Sequence, residues 1–317
     1  MFGPYQATGP EPIGFLLFPR FPMIALFSAV EPLRVANRFG GDLFSWHVYS
    51  VDGNPVTASN GMTLMVESSI EAVDFIPTLF VCSSFCPQQY ITKKLLLWLR
   101  CLNTKGITLG ALDTGAYFLA KAGLLDGYRI TMHWEAVPGF CEEFSHIQVT
   151  DELFEVDQNR VTCAGGTAAM DMMLQMIAQK HGSELAIAVS EQFIRDRIRD
   201  RRDRQRMQLG ARLGVYHPKL LKIIQIMEEN LEEPLQLEQL VSLAGVSRRQ
   251  LERLCDTLLH NSPQGYYRKL RLERAQKLLQ QTSMHIADVA AACGFNSPSS
   301  FSHTYASHFG YSPKAER

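Results

Sequence analysis

The last hundred residues of this chain repeat themselves, and that repeat constrains the fold more than any other feature. Leu237, Gln239, Leu240, Ala244 and Gly245 recur 49 residues later as Ile286, Asp288, Val289, Cys293 and Gly294. Past that glycine the offset becomes 50: Ser247 matches Ser297, Leu251 matches Phe301, and Ser262–Pro263 matches Ser312–Pro313. Each copy predicts a short helix, a glycine turn and a second helix capped by serine. A small residue before the turn and a glycine within it let two helices cross closely, as a helix-turn-helix requires. Two such units offer recognition helices to major-groove segments about 34 Å apart. In the first, Arg248, Arg249, Glu252 and Arg253 are expected to face outward, with Leu251 and Leu254 inward. Arginine there can bond guanine O6 and N7 in bidentate fashion, or else simply solvate the helix. In the second, Phe301, Tyr305 and Phe309 are expected to pack, while Ser299, Ser302 and His303 point outward. That helix has no Lys or Arg, so the first is expected to carry most of the specificity.

Charge is distributed to suit this division. The 317 residues carry a formal net charge of −1, yet residues 1–194 hold 11 basic against 19 acidic side chains, and residues 211–317 hold 13 against 10. Between them, residues 195–206 contain seven arginines in twelve positions. Only the rear is therefore expected to meet a polyanion, double-stranded DNA. The arginine-rich segment reads either as a solvated helical hinge or as a contact to DNA phosphates. Hydrophobic residues at 46% and charged residues at 20% exclude a disordered or collagen-like chain. The longest apolar stretch, from Phe15 to Leu33, is interrupted by Pro19, Arg20, Pro22 and Glu31, which argues against a membrane span. The seven cysteines form no CxxC pair, so neither a disulfide framework nor a metal site is expected, and a cytoplasmic location is.

The front of the chain alternates short apolar runs with helical patterns. Strands are predicted at Ile13–Phe18, Phe44–Val51, Leu79–Cys82, Ile107–Leu112, Leu153–Val156 and Val161–Ala164. Helices are predicted at Met23–Arg38, Tyr90–Asn103, Ala116–Ala122 and Ala168–His181. This is an α/β pattern, a mostly parallel sheet with helices on both faces, followed by an all-α domain holding the two helix-turn-helix units. The expected boundaries are a front domain at 1–190, an arginine-rich linker at 191–217 and a rear domain at 218–317, opened by Pro218. Within the front, KGITLGALDTGAYFLAKAGLL (105–125) reads as a strand, a sharp turn and a helix. A nucleophilic enzyme would place Ser or Cys at that turn, with a histidine in reach. Here the residue is Asp113, followed by Thr114, and an aspartate does not do a cysteine's hydrolytic work. Asp113 reads either as a ligand contact or as a cap for the next helix. Gly165, Gly166 and Thr167 lack the lysine of a phosphate-binding loop, and no cofactor is expected.

The motifs of the rear carry a resemblance. LAGVSRRQLERL (243–254), GYYRKLRLERAQKLL (265–279), IADVAAACGFNSPSSFSHTY (286–305) and FGYSP (309–313) resemble the DNA-binding domain of the AraC/XylS family of bacterial transcriptional regulators. The resemblance places base-reading positions on Arg249, Glu252, Arg253, Ser299, Ser302 and His303, the last standing where an arginine is common. The front resembles the class I glutamine amidotransferase-like superfamily, of the PfpI type. Those relatives carry a cysteine where Asp113 stands, a histidine matched by His133 in TMHWEA, and an early glutamate matched by Glu31. Their glycine pair after the third strand is replaced by Ser83 and Ser84. EPLRVANR (31–38), ALDTGAY (111–117) and TCAGGTAAMDMML (162–174) further resemble the regulators of arginine, glycine betaine and carnitine catabolism.

The resemblance implies a non-enzymatic sensor, its catalytic pocket kept for binding. Asp113 with Glu31 would hold an ammonium or trimethylammonium group, Trp134, Trp46 or Tyr117 would add a cation–π wall, and Arg34 would hold a carboxylate or form a surface ion pair. His133, Thr114, Ser83 and Ser84 complete the expected site. The implied partners are operator DNA, a small-molecule inducer, RNA polymerase and a second copy of the chain, with transcription activated. Two rivals remain: an amidase- or deglycase-like enzyme working through Cys82, Cys163 or an activated water, and a DNA-binding protein indifferent to small molecules.

Overall fold

The computed structural model of the chain describes residues 9–73, 75–282 and 284–316. Its front is organised by the apolar run that opens it. β1 (Glu11–Leu17) pairs in parallel with β2 (Phe44–Ser50) on one side and with β6 (Thr78–Ser83) on the other. A central parallel strand is covered on both faces, which is why its sequence is continuously apolar rather than alternating. Phe15 and Leu17 join one core and Leu16 and Phe18 the other, all at 1% exposure or less.

Two pairs of short strands lie off that centre, β3 (Val56–Thr57) with β4 (Thr63–Leu64) and β8 (Arg129–Ile130) with β9 (Gln148–Val149), while the short β5 (Ser68–Ser69) lies beside β2. β7 (Thr108–Asp113), β10 (Phe154–Asp157) and β11 (Arg160–Cys163) complete a seven-stranded sheet of order β10-β11-β7-β6-β1-β2-β5. Within that sheet, only the β10–β11 pair is antiparallel. α1 (Met23–Gly40), α5 (Ala168–His181) and α6 (Ser183–Gln192) pack on one face through Leu26, Leu33, Met172, Ile177 and Val189. α2 (Lys93–Thr104) and α3 (Ala116–Lys121) pack on the other through Leu95, Leu99 and Phe118, joined by α4 (Val137–Glu143) through Phe140. The expected α/β layering is present. Adjacent strands β7 and β11 send their following helices to opposite faces, and a crevice opens at their carboxyl ends, the usual place for a ligand in such a sheet.

The chain divides after Gln205. The arginine-rich segment was expected to be a helical hinge, and that expectation is corrected: residues 195–205 are irregular and laid against the front unit. Its arginines find acids there. Arg195 and Arg199 bind Asp171, and Arg201 lies near Glu152 and Glu155. The Leu153 N–H donates to the Arg201 carbonyl at 2.8 Å. Charge pairing and main-chain bonding outcompete helix formation where too few apolar residues mark a helical face.

The second unit is helical: α7 (Leu209–Leu213), α8 (Pro218–Glu229), α9 (Leu237–Ala244), α10 (Arg248–Leu259), α11 (Pro263–Gln281), α12 (Ile286–Ala292) and α13 (Pro298–Phe309). It holds two small cores, one around Leu240, Leu251 and Cys255 and one around Val289, Phe301 and Tyr305. Equivalent positions of the repeat thus have equivalent places. The 19-residue helix α11 contributes to both cores and is about 28 Å long at 1.5 Å per residue.

Candidate ligand site and nucleic-acid interface

The turn between β7 and α3 sets the geometry of the front site. Asp113 sits there at φ 60°, a backbone state that non-glycine residues seldom adopt. Neighbouring backbone holds it. The Thr114 N–H donates to the Ser83 carbonyl at 3.1 Å, and Thr114 Oγ1 donates to the Ser84 carbonyl at 2.5 Å. A Cβ on Gly115 would lie 1.9 Å from the Val81 carbonyl oxygen, so only glycine permits this approach. Gly165, at φ +87°, packs so closely that a Cβ would stand 2.9 Å from that of Asp113. Asp113 does not cap α3, whose N-cap is Gly115 with no side-chain bond.

Beside the turn lies a cavity of about 330 Å³, at the low end of the range for small-molecule sites. Asp113, His133 and Trp134 line it, as does the Gly165–Thr167 turn leading into α5. The His133 and Trp134 rings stand 5.6 Å apart, centroid to centroid. Among the lining residues that escaped the sequence reading are Ile24 at the start of α1, and Arg199 and Gln205 from the arginine-rich segment. Gln205 Nε2 donates to Thr131 Oγ1 and to the Met132 and Glu152 carbonyls, while its Oε1 accepts the Trp134 N–H at 2.8 Å. A signal existed for Arg199. Asp171 falls among methionines in AAMDMML, and an acid on an apolar helix face requires a cation from elsewhere.

Other expected contacts lie elsewhere. Glu31 and Arg34 pair with each other at 2.7 Å and do not line the cavity. Seven residues separate Glu31 from Ile24, about 10 Å along α1, so the helix presents an isoleucine to the cavity instead. Ser83 is the cross-strand neighbour of Asp113, fully buried, with its hydroxyl unpartnered among the described residues. Ser83, Ser84 and Thr114 build the turn and do not line the cavity. Trp46 packs against the core and Tyr117 donates to Glu143, so Trp134 alone of the three aromatics lines the cavity.

The electrostatics differ from the anionic spot that the sequence suggested. Burial pushes the Asp113 carboxyl up to about 8, the Thr114 N–H pulls it down less, and the Glu135 charge adds to the rise. At neutral pH the group is therefore largely protonated. Cys82 and Cys163 flank the turn fully buried; burial raises both thiols, Cys163 to about 12. Neither offers a ready thiolate.

In the second unit both helix-turn-helix motifs form. Gly245 and Gly294 take φ of +65° and +70° at their turns. Ser247 and Ser297 cap α10 and α13 by accepting the Gln250 and Ser300 N–H groups. Arg249 and Arg253 are exposed on α10. Arg248 and Glu252, also exposed, pair with each other at 3.0 Å. On α13, Ser299 and His303 are exposed and Ser302 is half-buried. Leu251 is buried as expected, whereas Leu254 is only half-buried. Arg271, which the sequence reading passed over, reaches from α11 to donate to the Cys293 and Gly294 carbonyls at 2.7 and 2.6 Å. Among the described residues no helix is long and apolar enough to cross a membrane.

Comparison with known proteins accords with both units. The DJ-1/PfpI family profile matches residues 16–179, and a helix-turn-helix domain profile matches residues 240–317. The HTH-type transcriptional regulator CdhR of Pseudomonas aeruginosa is 50% identical over 96% of this chain and 90% of its own length. The regulator GbdR of the same species is 46% identical over 99% of this chain and 86% of its own length. The crystal structure of an AraC family transcriptional regulator from Pseudomonas putida covers 58% of this chain and all of its own, with 31% identity and a TM-score of 0.54.

Proposed function

Because the chain belongs to the AraC-type DNA-binding transcriptional regulators that carry a DJ-1/PfpI domain, we propose that its front unit is a ligand sensor and not an enzyme. One observation carries the reading. The turn that would hold a nucleophile holds a buried carboxyl, facing a cavity whose wall includes the segment that runs on into the DNA-binding unit. The raised thiols of Cys82 and Cys163 argue further for binding without turnover.

The ligand is a small zwitterionic amine of the betaine, carnitine or arginine class. Its cationic end lies against Trp134 and Asp113. A quaternary ammonium gains from the Trp134 face and draws Asp113 into its ionised form. The regulator acts in the cytoplasm as a homodimer on a catabolic operon, recruiting RNA polymerase when the ligand is bound. Arg249 and Arg253 read bases in one half-site, while Ser299, Ser302 and His303 make weaker contacts in the next.

The test is thermal unfolding of the full chain with glycine betaine, L-carnitine, γ-butyrobetaine and basic amino acids. A ligand at a hundred times its Kd stabilises the native state by about 2.7 kcal/mol. Hits confined to one chemical class, and lost in Asp113→Ala protein that still folds, support the sensor. Absence of any hit returns the front unit to a dimerisation role.

A further inference from the structure

We propose that residues 195–205 are a strap closing the cavity, and that Arg199 on this strap recognises the carboxylate of the ligand. Binding and seating of the strap then form one equilibrium. This rests on the sensor reading above and supplies the contact for the second end of the zwitterion, which Arg34 is not placed to make.

Charge supports the assignment. Asp171 is fully buried and receives two guanidiniums, Arg195 at 2.5 Å and Arg199 at 2.7 Å. Two cations on one carboxylate leave a positive surplus, and Arg195 Nη1 is buried with no acceptor among the described residues. Of the pair, Arg199 lines the cavity, and it also donates to Thr167 Oγ1 at 2.9 Å. Thr167 directly precedes α5, whose free N–H groups favour a negative charge at the same end of the cavity. A carboxylate there meets the guanidinium, while the Asp113–Trp134 side takes the cationic group. Decarboxylated amines lack the group that this corner requires.

The strap is also poised to respond. Its backbone is irregular, and polar groups do most of the holding: Arg195 and Arg199 on Asp171, Arg201 near Glu152 and Glu155, and Gln205 on the loop of Trp134. Ile198 adds an apolar contact. Segments with few buried apolar contacts open at low free-energy cost. A ligand touching Arg199 and Gln205 touches the last residue before the second unit begins.

The experiment compares glycine betaine, L-carnitine and L-arginine with the carboxylate-free amines choline and agmatine, by calorimetry on the full chain. Wild-type protein should prefer its carboxylate-bearing partner at least about tenfold. Arg199→Gln should lower that affinity about ten- to hundredfold and leave the amine unchanged, with Arg199→Lys restoring part of the loss. Trypsin cleavage within 195–206, located by mass spectrometry, should slow when wild type is saturated. Retained carboxylate preference in Arg199→Gln, or cleavage indifferent to a bound zwitterion, overturns the proposal and leaves the sensor standing. If no zwitterion binds wild type, the sensor reading and Arg199 as its carboxylate contact both fall. The strap itself is still decided without ligand: Gln205→Ala and Asp171→Asn should be cut faster there than wild type, and equal rates overturn it.

Discussion

Asp113 is the residue whose chemistry the fold alters most. Burial pushes its carboxyl up from 3.8 to about 8, so across that window the native state holds a proton that the unfolded chain has released. The stability this proton contributes is full below about pH 4 and is lost as pH rises toward 8. Asp113→Asn, which stays neutral, should remove that downward slope, worth up to about 1.4 kcal/mol per pH unit. Urea unfolding from pH 5 to 9 checks this, and unchanged slopes would mean that Asp113 ionises like a surface carboxylate. Ligand binding should show the opposite trend. A quaternary ammonium needs the ionised group, so its affinity in wild type should rise with pH, by at most about tenfold per unit, and level off above 8. Glycine betaine suits the titration because its cation does not titrate.

At the scale of elements, the two helix-turn-helix units share a plan but not a means of support. The second hangs on Arg271, whose guanidinium binds the Cys293 and Gly294 carbonyls and lies 4.2 Å from the centre of the Phe295 ring. Arg271→Met should cost about 1.5–3 kcal/mol through those charged hydrogen bonds. Hydrogen exchange should rise in α12 and α13 and not in α9 and α10; uniform loss would mean that the units do not open separately. The recognition helices should differ too. Arg249→Ala or Arg253→Ala should each cost about 1–3 kcal/mol at one half-site and relax base choice there. Ser299→Ala should barely alter selectivity in a binding-site selection, whereas equal effects on both half-sites would contradict the division of labour. The longer helices and the central parallel strands were legible because period and capping are local, as Ser247, Gly245 and the apolar run of β1 show, whereas α4, α6 and the two-residue strands were not. The cavity was legible only in part. Asp113 follows from a turn motif and His133 from the family resemblance alone, but Glu31 was misassigned because the register of α1 against the sheet depends on contacts that no local pattern contains. Arg199 escaped because its partner, Asp171, is 28 residues away.

The proposed sensor requires that ligand and DNA prefer the same state of the whole molecule. The front unit and the helical unit each hold cores of their own. A ligand shifts such an equilibrium by its differential affinity alone. A complete switch, from about one part in a hundred to ninety-nine, would need about 10⁴-fold discrimination, more than two charged contacts and a cation–π face are expected to supply. Coupling of about 1–3 kcal/mol, or roughly 5- to 150-fold, is the reasonable expectation. Reciprocity makes this testable: whatever factor saturating ligand adds to operator affinity, operator must add to ligand affinity. Anisotropy of a labelled duplex obtained by in vitro selection gives the first factor, and calorimetry with and without that duplex gives the second. Equal factors, both reduced in Arg199→Gln, are expected of a sensor that acts through its strap. Equal factors unaffected by Arg199 would put the coupling elsewhere in the front unit, and a factor of one in both would leave ligand binding without influence on DNA.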